Sequence, residues 1–366
     1  MAAGTHGAAG DRFMTVRELA KRFEVSLTLA QKVVTWLKNE GLLVTDSVTS
    51  PARISQLAFQ VPHKDSSRKG SPRRLGLVVS DMTNPFFGQL CRYVQQAAAE
   101  QDYQVLVASS EPDFSREQRA IRGFLEIGVE GLLLCPGLDD ACVRMYRELL
   151  QGGIPIGFVS RRVNGIEADF VIAHNFVGGA EVAGHLLSLG YDSFGYIGFG
   201  PRLKRDERLQ GFRSVLEQEG VDLTGDRITD GDGRDTIHGY QAARRLFGGD
   251  GPPRAVFAYN DLLAIGALQY CQEHGIVVPD EVAIVGFDNL PQCSVTSPPL
   301  TSGAYPVQSM GRLAVQNLVD RIEGSGEHPP HRVLLEPHLV VRQSTDPHAK
   351  PVSSFLTLEG DSPESV

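Results

Sequence analysis

Between Leu75 and Arg342 the chain repeats one hydropathy unit about eight times: a short apolar run, a break of Gly, Pro, Asp or Asn, then a stretch whose apolar residues recur at helical spacing. The runs are LGLVV from Leu75, QVLVA from Gln104, GLLLC from Gly131, IPIGFV from Ile154, DFVIA from Asp169, FGYIG from Phe194, AVFAY from Ala255 and VAIVG from Val282. A half-exposed strand alternates apolar and polar residues. These runs do not, so they predict strands covered on both faces, the condition of a parallel sheet. Strand–helix alternation with short breaks predicts an α/β chain of βαβ units. Open parallel sheets take ligands beyond the carboxyl ends of their strands, so candidate chemistry is sought in the residues after each run.

Upstream the period becomes purely helical. From Met14 the chain reads MTVRELAKRFEVSLTLAQKVVTWLKNEGLL. Thr15 is placed to N-cap a helix with apolar face Val16, Leu19, Ala20 and Phe23, and Glu18, three residues on, completes a capping box. Glu24-Val25 predicts a tight turn. Ser26 then caps a second helix with Leu29, Ala30, Val33, Val34 and Leu37 facing inward, and Gly41 is placed to stop it. Two helices across a short turn form a helix-turn-helix, whose second helix enters the DNA major groove. Leu27, Thr28, Gln31 and Lys32 are its exposed positions. A helical hairpin serving only dimerisation has the same periodicity and stays open as an alternative.

Composition adds a division of charge. The chain has 366 residues and a net charge of −9, yet Met14 to Arg74 holds eleven Lys and Arg against five Asp and Glu. A basic head on an acidic body predicts that the head meets a polyanion and the body does not. Much of the excess lies in QVPHKDSSRKGSPRR from Gln60, which reads as an exposed tether. The length predicts roughly two to three domains. Residues 1–12 and the polar tail 346–366 are expected to be disordered. The five cysteines form no Cys-x-x-Cys pair and read as buried thiols of a reducing compartment. No run approaches the ~20 apolar residues of a membrane span and the start does not resemble a secretory signal, so a cytoplasmic protein with no membrane partner is expected.

Candidate binding residues cluster after the strand runs. In SDMTNPFF from Ser80, Asn84 N-caps a helix with Pro85 at its first position, and that helix buries Phe87, Leu90, Val94 and Ala97. Phe86 is left at the mouth, where an aromatic face suits the C–H face of a sugar ring. Arg161 follows one run, Arg208 lies in RDERLQGF, Asn260-Asp261 follow AVFAY, and Asp288 follows VAIVGF. Arginine donors and carboxylate acceptors around one cleft suit neighbouring hydroxyls, which donate and accept together. Plainer readings stand beside these: Asp261 capping its own helix, Arg161 merely solvated, Asp288 closing a turn with Asn289, the two phenylalanines as core. An enzyme on the same sheet would need a Gly-x-Gly-x-x-Gly after the first strand, where the chain has SDMTNPFFG, or a nucleophile, Walker or His-Glu-x-x-His motif, and none appears. Neither a cofactor nor a metal is called for.

These segments resemble known families. The head, GDRFMTVRELAKRFEVS through WLKNEGLL, resembles the winged helix-turn-helix of the gluconate-repressor (GntR) family. The resemblance implies base contact by Arg17 and puts Ser26, Thr28 and Lys32 on the recognition helix. Leu27 and Gln31 stand where that family has arginines, and Gln31 can still pair with adenine. Thr15, Arg17, Ser26, Thr28, Gln31 and Lys32 are the candidate DNA-binding residues. Leu75 to Arg342 resembles the effector-binding core of lactose/galactose-repressor (LacI/GalR) regulators and their periplasmic sugar-binding relatives, through SDMTNPFF, IPIGFVSRR, RLQGF, AYNDLLAIGAL, VPDEVAIVGFDN, PPLTS and LLEPHLVVRQST.

That resemblance implies two doubly wound parallel-sheet subdomains of the periplasmic binding protein type, residues 75–173 with 303–334 and 174–302 with 335–345, behind a head at 13–60 and a linker at 61–74. The chain would cross near Ala173, Ser302 and Leu335. Phe86, Arg161, Arg208, Asn260 and Asp288 would line an effector cleft, and Asn84, Phe87 and Asp261 beside them complete the candidate effector-binding set. His174, Ser160 and Tyr305 depart from residues usual there, and GDGRD from Gly231 lacks a usual aromatic wall. The expected function is a homodimeric, DNA-binding repressor of a carbohydrate operon, binding a double-stranded operator under control of a small sugar-like effector. The alternative is a cytoplasmic sugar receptor with a degenerate head.

Overall fold

All eight apolar runs are strands in the computed structural model, which describes residues 12–23, 25–39, 43–44, 52–54, 73–111, 113–136, 141–200, 203, 206–231, 233–249, 251–324 and 329–350. Turn residue Glu24, stop residue Gly41, the leader to residue 11, the tether up to residue 72 and the tail from 351 lie outside the described residues.

In the head, α1 (Val16–Phe23) and α2 (Leu27–Asn39) are followed by a hairpin of β1 (Leu43–Val44) antiparallel to β2 (Arg53–Ile54). The capping box forms as expected. The Thr15 amide donates to Glu18 Oε2 at 2.6 Å and the Glu18 amide to Thr15 Oγ1 at 3.3 Å. Ser26 Oγ accepts from the Leu29 amide at 3.2 Å. Phe13, Leu19, Ala20, Ala30, Val34, Leu37 and Leu43 make a small core. The inward set is narrower than the sequence suggested: Phe23, Leu29 and Val33 are 54%, 49% and 37% exposed. Ala30, Val34 and Leu37 form the single seam that α1 and the hairpin cover, and Leu29, Val33 and Trp36 form a second stripe beside it.

The body divides into two compact units. The first comprises the described residues of Met1–Met82, Cys91–Phe170 and Gly311–Arg332. Strands β3 (Arg73–Val79), β4 (Tyr103–Ser109), β5 (Gly131–Leu134), β6 (Ile156–Val159), β7 (Asp169–Ala173) and β13 (Arg332–Leu335) lie in the order β13-β7-β6-β5-β3-β4. The pairings of β3 with β4, β3 with β5 and β5 with β6 are parallel. Helices α3 (Pro85–Ala99), α4 (Phe114–Ile127) and α5 (Ala141–Gln151) alternate with these strands. Asp113 starts α4 by accepting from the amides of Ser115 and Arg116, and Gly128 ends it in the left-handed conformation at φ 82°.

The second unit comprises Thr83–Leu90, Val171–Met310 and the described residues of Val333–Val366. Its sheet runs β14-β12-β11-β10-β8-β9, built from β8 (Phe194–Phe199), β9 (Ile228–Gly231), β10 (Ala255–Ala258), β11 (Ala283–Asp288), β12 (Thr301–Ala304) and β14 (His338–Val340). It is parallel except that β14 runs antiparallel to β12. The helices are α6 (Asn175–Ser188), α7 (Glu207–Gln218), α8 (Thr236–Phe247) and α9 (Asp261–Glu273), and α10 (Val307–Glu323) follows β12. The crossings expected near Ala173, Ser302 and Leu335 compare with boundaries after Phe170, Met310 and Arg332, and two more, after Met82 and Leu90, set Thr83–Leu90 in the second unit. The middle one moves because Gly303 and Ala304 pair with Phe287 and Asp288 and so belong to the second sheet. Residues 346–350, read from sequence as the start of a disordered tail, form a turn in which the Ala349 amide donates to the Asp346 carbonyl at 3.0 Å.

Two helix pairs in this unit approach at van der Waals limits. A Cβ at Gly179 would stand 2.0 Å from the Arg208 carbonyl oxygen, and one at Gly211 1.9 Å from that of Phe176, so α6 and α7 meet through reciprocal glycines. Gly239 and Gly266 do the same for α8 and α9, at 2.1 Å from the Leu263 carbonyl oxygen and 2.0 Å from that of Thr236. All five cysteines are buried thiols outside any disulfide.

Candidate functional site

The second sheet gathers its polar residues at the carboxyl ends of adjacent strands. Tyr259 follows β10, Asp288 ends β11 and Tyr305 follows β12, while Arg208 opens α7 after β8 and Asn175 opens α6 after β7, a strand of the first sheet. Asp206 caps α7 by accepting from the amides of Arg208 and Leu209, which fixes where Arg208 enters. The Tyr196 hydroxyl donates to Asp206 Oδ2 at 2.5 Å and tethers that cap to the sheet.

Arg208 is the centre of the arrangement. It is 4% exposed, and its donors reach three oxygens: Nε to Asn175 Oδ1 at 3.0 Å, Nη1 to the Tyr259 carbonyl, and Nη2 to the Tyr305 hydroxyl at 2.5 Å. The Asp288 carboxylate lies 3.8 Å from Nη2. The guanidinium also faces the rings of Phe287 at 4.0 Å and Tyr259 at 4.5 Å. Burial works against its charge, but Tyr305, Tyr259, Asp288 and Asp206 outweigh it and hold the group above its usual range. Burial pushes the Tyr305 phenol up to about 12, with Arg208 pulling the other way. The phenol therefore stays neutral near pH 7, and its hydroxyl both accepts from Arg208 and donates to Asn175 Oδ1 at 2.8 Å.

Asn84 N-caps α3 through its Oδ1, which accepts from the Phe86 amide at 2.9 Å. Phe86 and Phe87 are both buried in an edge-to-face pair, and the Phe86 ring also lies 5.1 Å from that of Tyr305. Phe86, expected at an open mouth, is thus covered by an aromatic neighbour. Asn260 caps α9 by accepting from the Leu263 amide at 2.9 Å and donates to the Arg234 carbonyl at 3.1 Å. Asp261 points into the protein: fully buried, its carboxylate accepts from the Ser302 hydroxyl at 2.6 Å and the Leu290 amide at 2.7 Å, which ties β11 to β12. Its neighbour Asn260, not Asp261, caps the helix. Arg161 lies in the first unit, half-buried after β6 and beside Ser160, whose φ is 67°.

The second sheet edge thus unites Arg208 and Asp288 with Phe86 and adds Asn175, Tyr259, Phe287 and Tyr305, which were not among the candidates. Tyr305 did carry a signal, as a departure from the resembled pattern. Tyr259 contributes a backbone carbonyl, which no side-chain pattern encodes. The backbone at the edge is strained, with φ of 119° at Asp288 and 51° at Asn289, a conformation non-glycine residues hold only where their surroundings impose it.

In the head, Arg17, Thr28, Gln31 and Lys32 are exposed. Thr28, Gln31 and Lys32 lie on the face of α2 turned away from its buried seam. Thr15 and Ser26 use their side-chain oxygens as helix caps.

A family model described as a periplasmic binding protein-like domain matches residues 183–345. The chain is 30% identical to the HTH-type transcriptional regulator MalR of Streptomyces coelicolor over 83% of its own length and 89% of that protein. A solved structure of a LacI-family regulator from Sanguibacter keddieii matches with a TM-score of 0.66 at 32% identity, covering 75% of this chain and 99% of that one. Another, a LacI-family regulator from Enterococcus faecium with bound ribose, matches with a TM-score of 0.64 at 26% identity, covering 76% and 100%. With a two-helix DNA-reading head, paired parallel sheets and relatives that are regulators rather than enzymes, this chain belongs to the LacI family of HTH-type transcriptional regulators.

Proposed function

We propose that this regulator is a repressor of a carbohydrate-utilisation operon, acting as a homodimer on a near-palindromic operator and controlled by a sugar-like effector. The observation that carries the reading is the exposed Thr28–Gln31–Lys32 face on α2, carried by a seam that leaves it clear of the head's core. Such a face meets base edges in the major groove, and the exposed Arg17 of α1 would add a further DNA contact. The β1–β2 hairpin after α2 supports a winged head of the gluconate-repressor type. On the body, Arg208, Asn175 and Asp288 offer the donors and acceptors that adjacent hydroxyls need, with aromatic faces beside them. The ribose held by the Enterococcus faecium relative supports a sugar as the effector class. Asn84, Phe87 and Asn260, of the same unit, would complete the site.

The test is a mobility shift with the full chain on the DNA upstream of its own gene, repeated with a panel of pentoses and hexoses. A retarded band that one sugar changes is the expected result. Gln31→Ala should weaken binding by about 1–3 kcal/mol and relax specificity at one base, whereas Lys32→Ala should lower the salt dependence by about one phosphate contact. Trp36, 55% exposed on α2, gives a second readout, since its emission should respond to DNA and not to sugar alone. A chain that ignores every duplex at low ionic strength while still binding sugar would instead be a receptor with a degenerate head.

A further inference from the structure

We propose that Tyr305 is a resident stand-in for a ligand hydroxyl: it occupies the position linking Arg208 and Asn175, and a polyhydroxylated ligand binds at this sheet edge by displacing it. The inference rests on the effector reading above and adds how the ligand gains entry. Its first support is the double role of the phenol, which accepts from Arg208 Nη2 at 2.5 Å and donates to Asn175 Oδ1 at 2.8 Å. A sugar hydroxyl wedged between a guanidinium and an amide oxygen makes the same two bonds. The second is the placement of the ring, with centroids 5.1 Å from Phe86 and 5.2 Å from Phe287, against aromatic surfaces suited to a sugar's C–H face. The third is exposure: Phe287 is fully buried, but Tyr305 is only partly so. Tyr305 thus packs on the margin of the core, and two side-chain torsions set whether its hydroxyl stays on Arg208.

Displacement exchanges one charge-assisted hydrogen bond for another of the same kind, so the Arg208–Asn175 pair adds little net affinity while Tyr305 is present. Deleting the phenol leaves both groups wanting a partner, and a ligand hydroxyl then gains the full bond. Affinity should rise about 10- to 100-fold.

The experiment titrates the full chain and its Tyr305→Ala, Tyr305→Ser and Tyr305→Phe variants with ribose, xylose, glucose and galactose by calorimetry, with circular dichroism to establish folding. Ala and Ser should bind at least one sugar tenfold or more tightly than the parent. Phe keeps the ring in place, so its sugar affinity should stay at the parent level while its melting temperature falls. A residue that merely props Arg208 would lower stability in all three variants and raise affinity in none. The proposal is overturned if the parent binds its best sugar as tightly as the Ala variant, or if folded Ala and Ser variants bind none of the four. A mobility shift by the parent without sugar tests the regulator reading separately, so loss of DNA binding and loss of the affinity gain are distinct failures.

Discussion

Arg208 shows how one side chain can be both a binding group and a structural brace. Its hydrogen bonds reach α6, the end of β10 and the residue after β12, and an ion pair adds the end of β11. Replacing it by Met keeps much of the volume but removes the guanidinium that faces Asp288 and Asp206. Breaking a buried pair from one side costs about 3–5 kcal/mol, so Arg208→Met should lower the unfolding free energy measured in urea by that much and weaken sugar binding by disturbing the site it braces. An unfolding free energy within about 1 kcal/mol of the parent's would mean that the two carboxylates are satisfied elsewhere. At this scale the sequence was partly legible. Arg208 and Asp288 announce themselves because they follow apolar runs. Asp261 follows one as well, yet it turns inward, since Ser302 and the Leu290 amide come from a strand and a loop distant in the chain.

Among elements, the continuous apolar strands could be read because burial on both faces leaves no other pattern. The strands that escaped reading lack that mark. β12 is Thr-Ser-Gly-Ala, buried throughout although small and polar, and β13 alternates between exposed and half-buried positions at a sheet edge. In the head, helical spacing located α2 but could not tell which of two adjacent apolar stripes would be covered, because that depends on the width of the partner surface. The glycine contacts of α6 and α7 give an element-scale prediction. A methyl at Gly211 meets the Phe176 carbonyl, a backbone atom that cannot rotate away. Gly211→Ala should therefore destabilise the chain by about 1–3 kcal/mol and weaken sugar binding through the displaced start of α7, seen as a lowered melting temperature and a raised dissociation constant. Gly184→Ala on α6, where a Cβ meets nothing within 4 Å, is the matched control and should change neither.

At the scale of the whole molecule, the charge pattern separates a basic head from an acidic body, and the βαβ alternation was sufficient to anticipate the two sheets. The positions where the chain passes from one unit to the other were less legible, because they depend on strand neighbours rather than on local composition. Regulation by a small molecule requires the effector and the operator to be linked. Whatever factor the sugar applies to DNA affinity, DNA must apply to sugar affinity. Calorimetric titration of the sugar with and without operator should return the same ratio as mobility shifts with and without sugar. Unequal ratios would show that the two sites are not in equilibrium with each other.

The reciprocal glycines of α6–α7 and α8–α9 leave those helices no clearance for gliding past one another, because each backbone already rests on its neighbour's carbonyl oxygens. A signal arriving at this sheet edge therefore cannot be absorbed by gradual slippage within the layer. Each of the two helix pairs moves as one body, which leaves the smaller adjustments to side chains such as Tyr305.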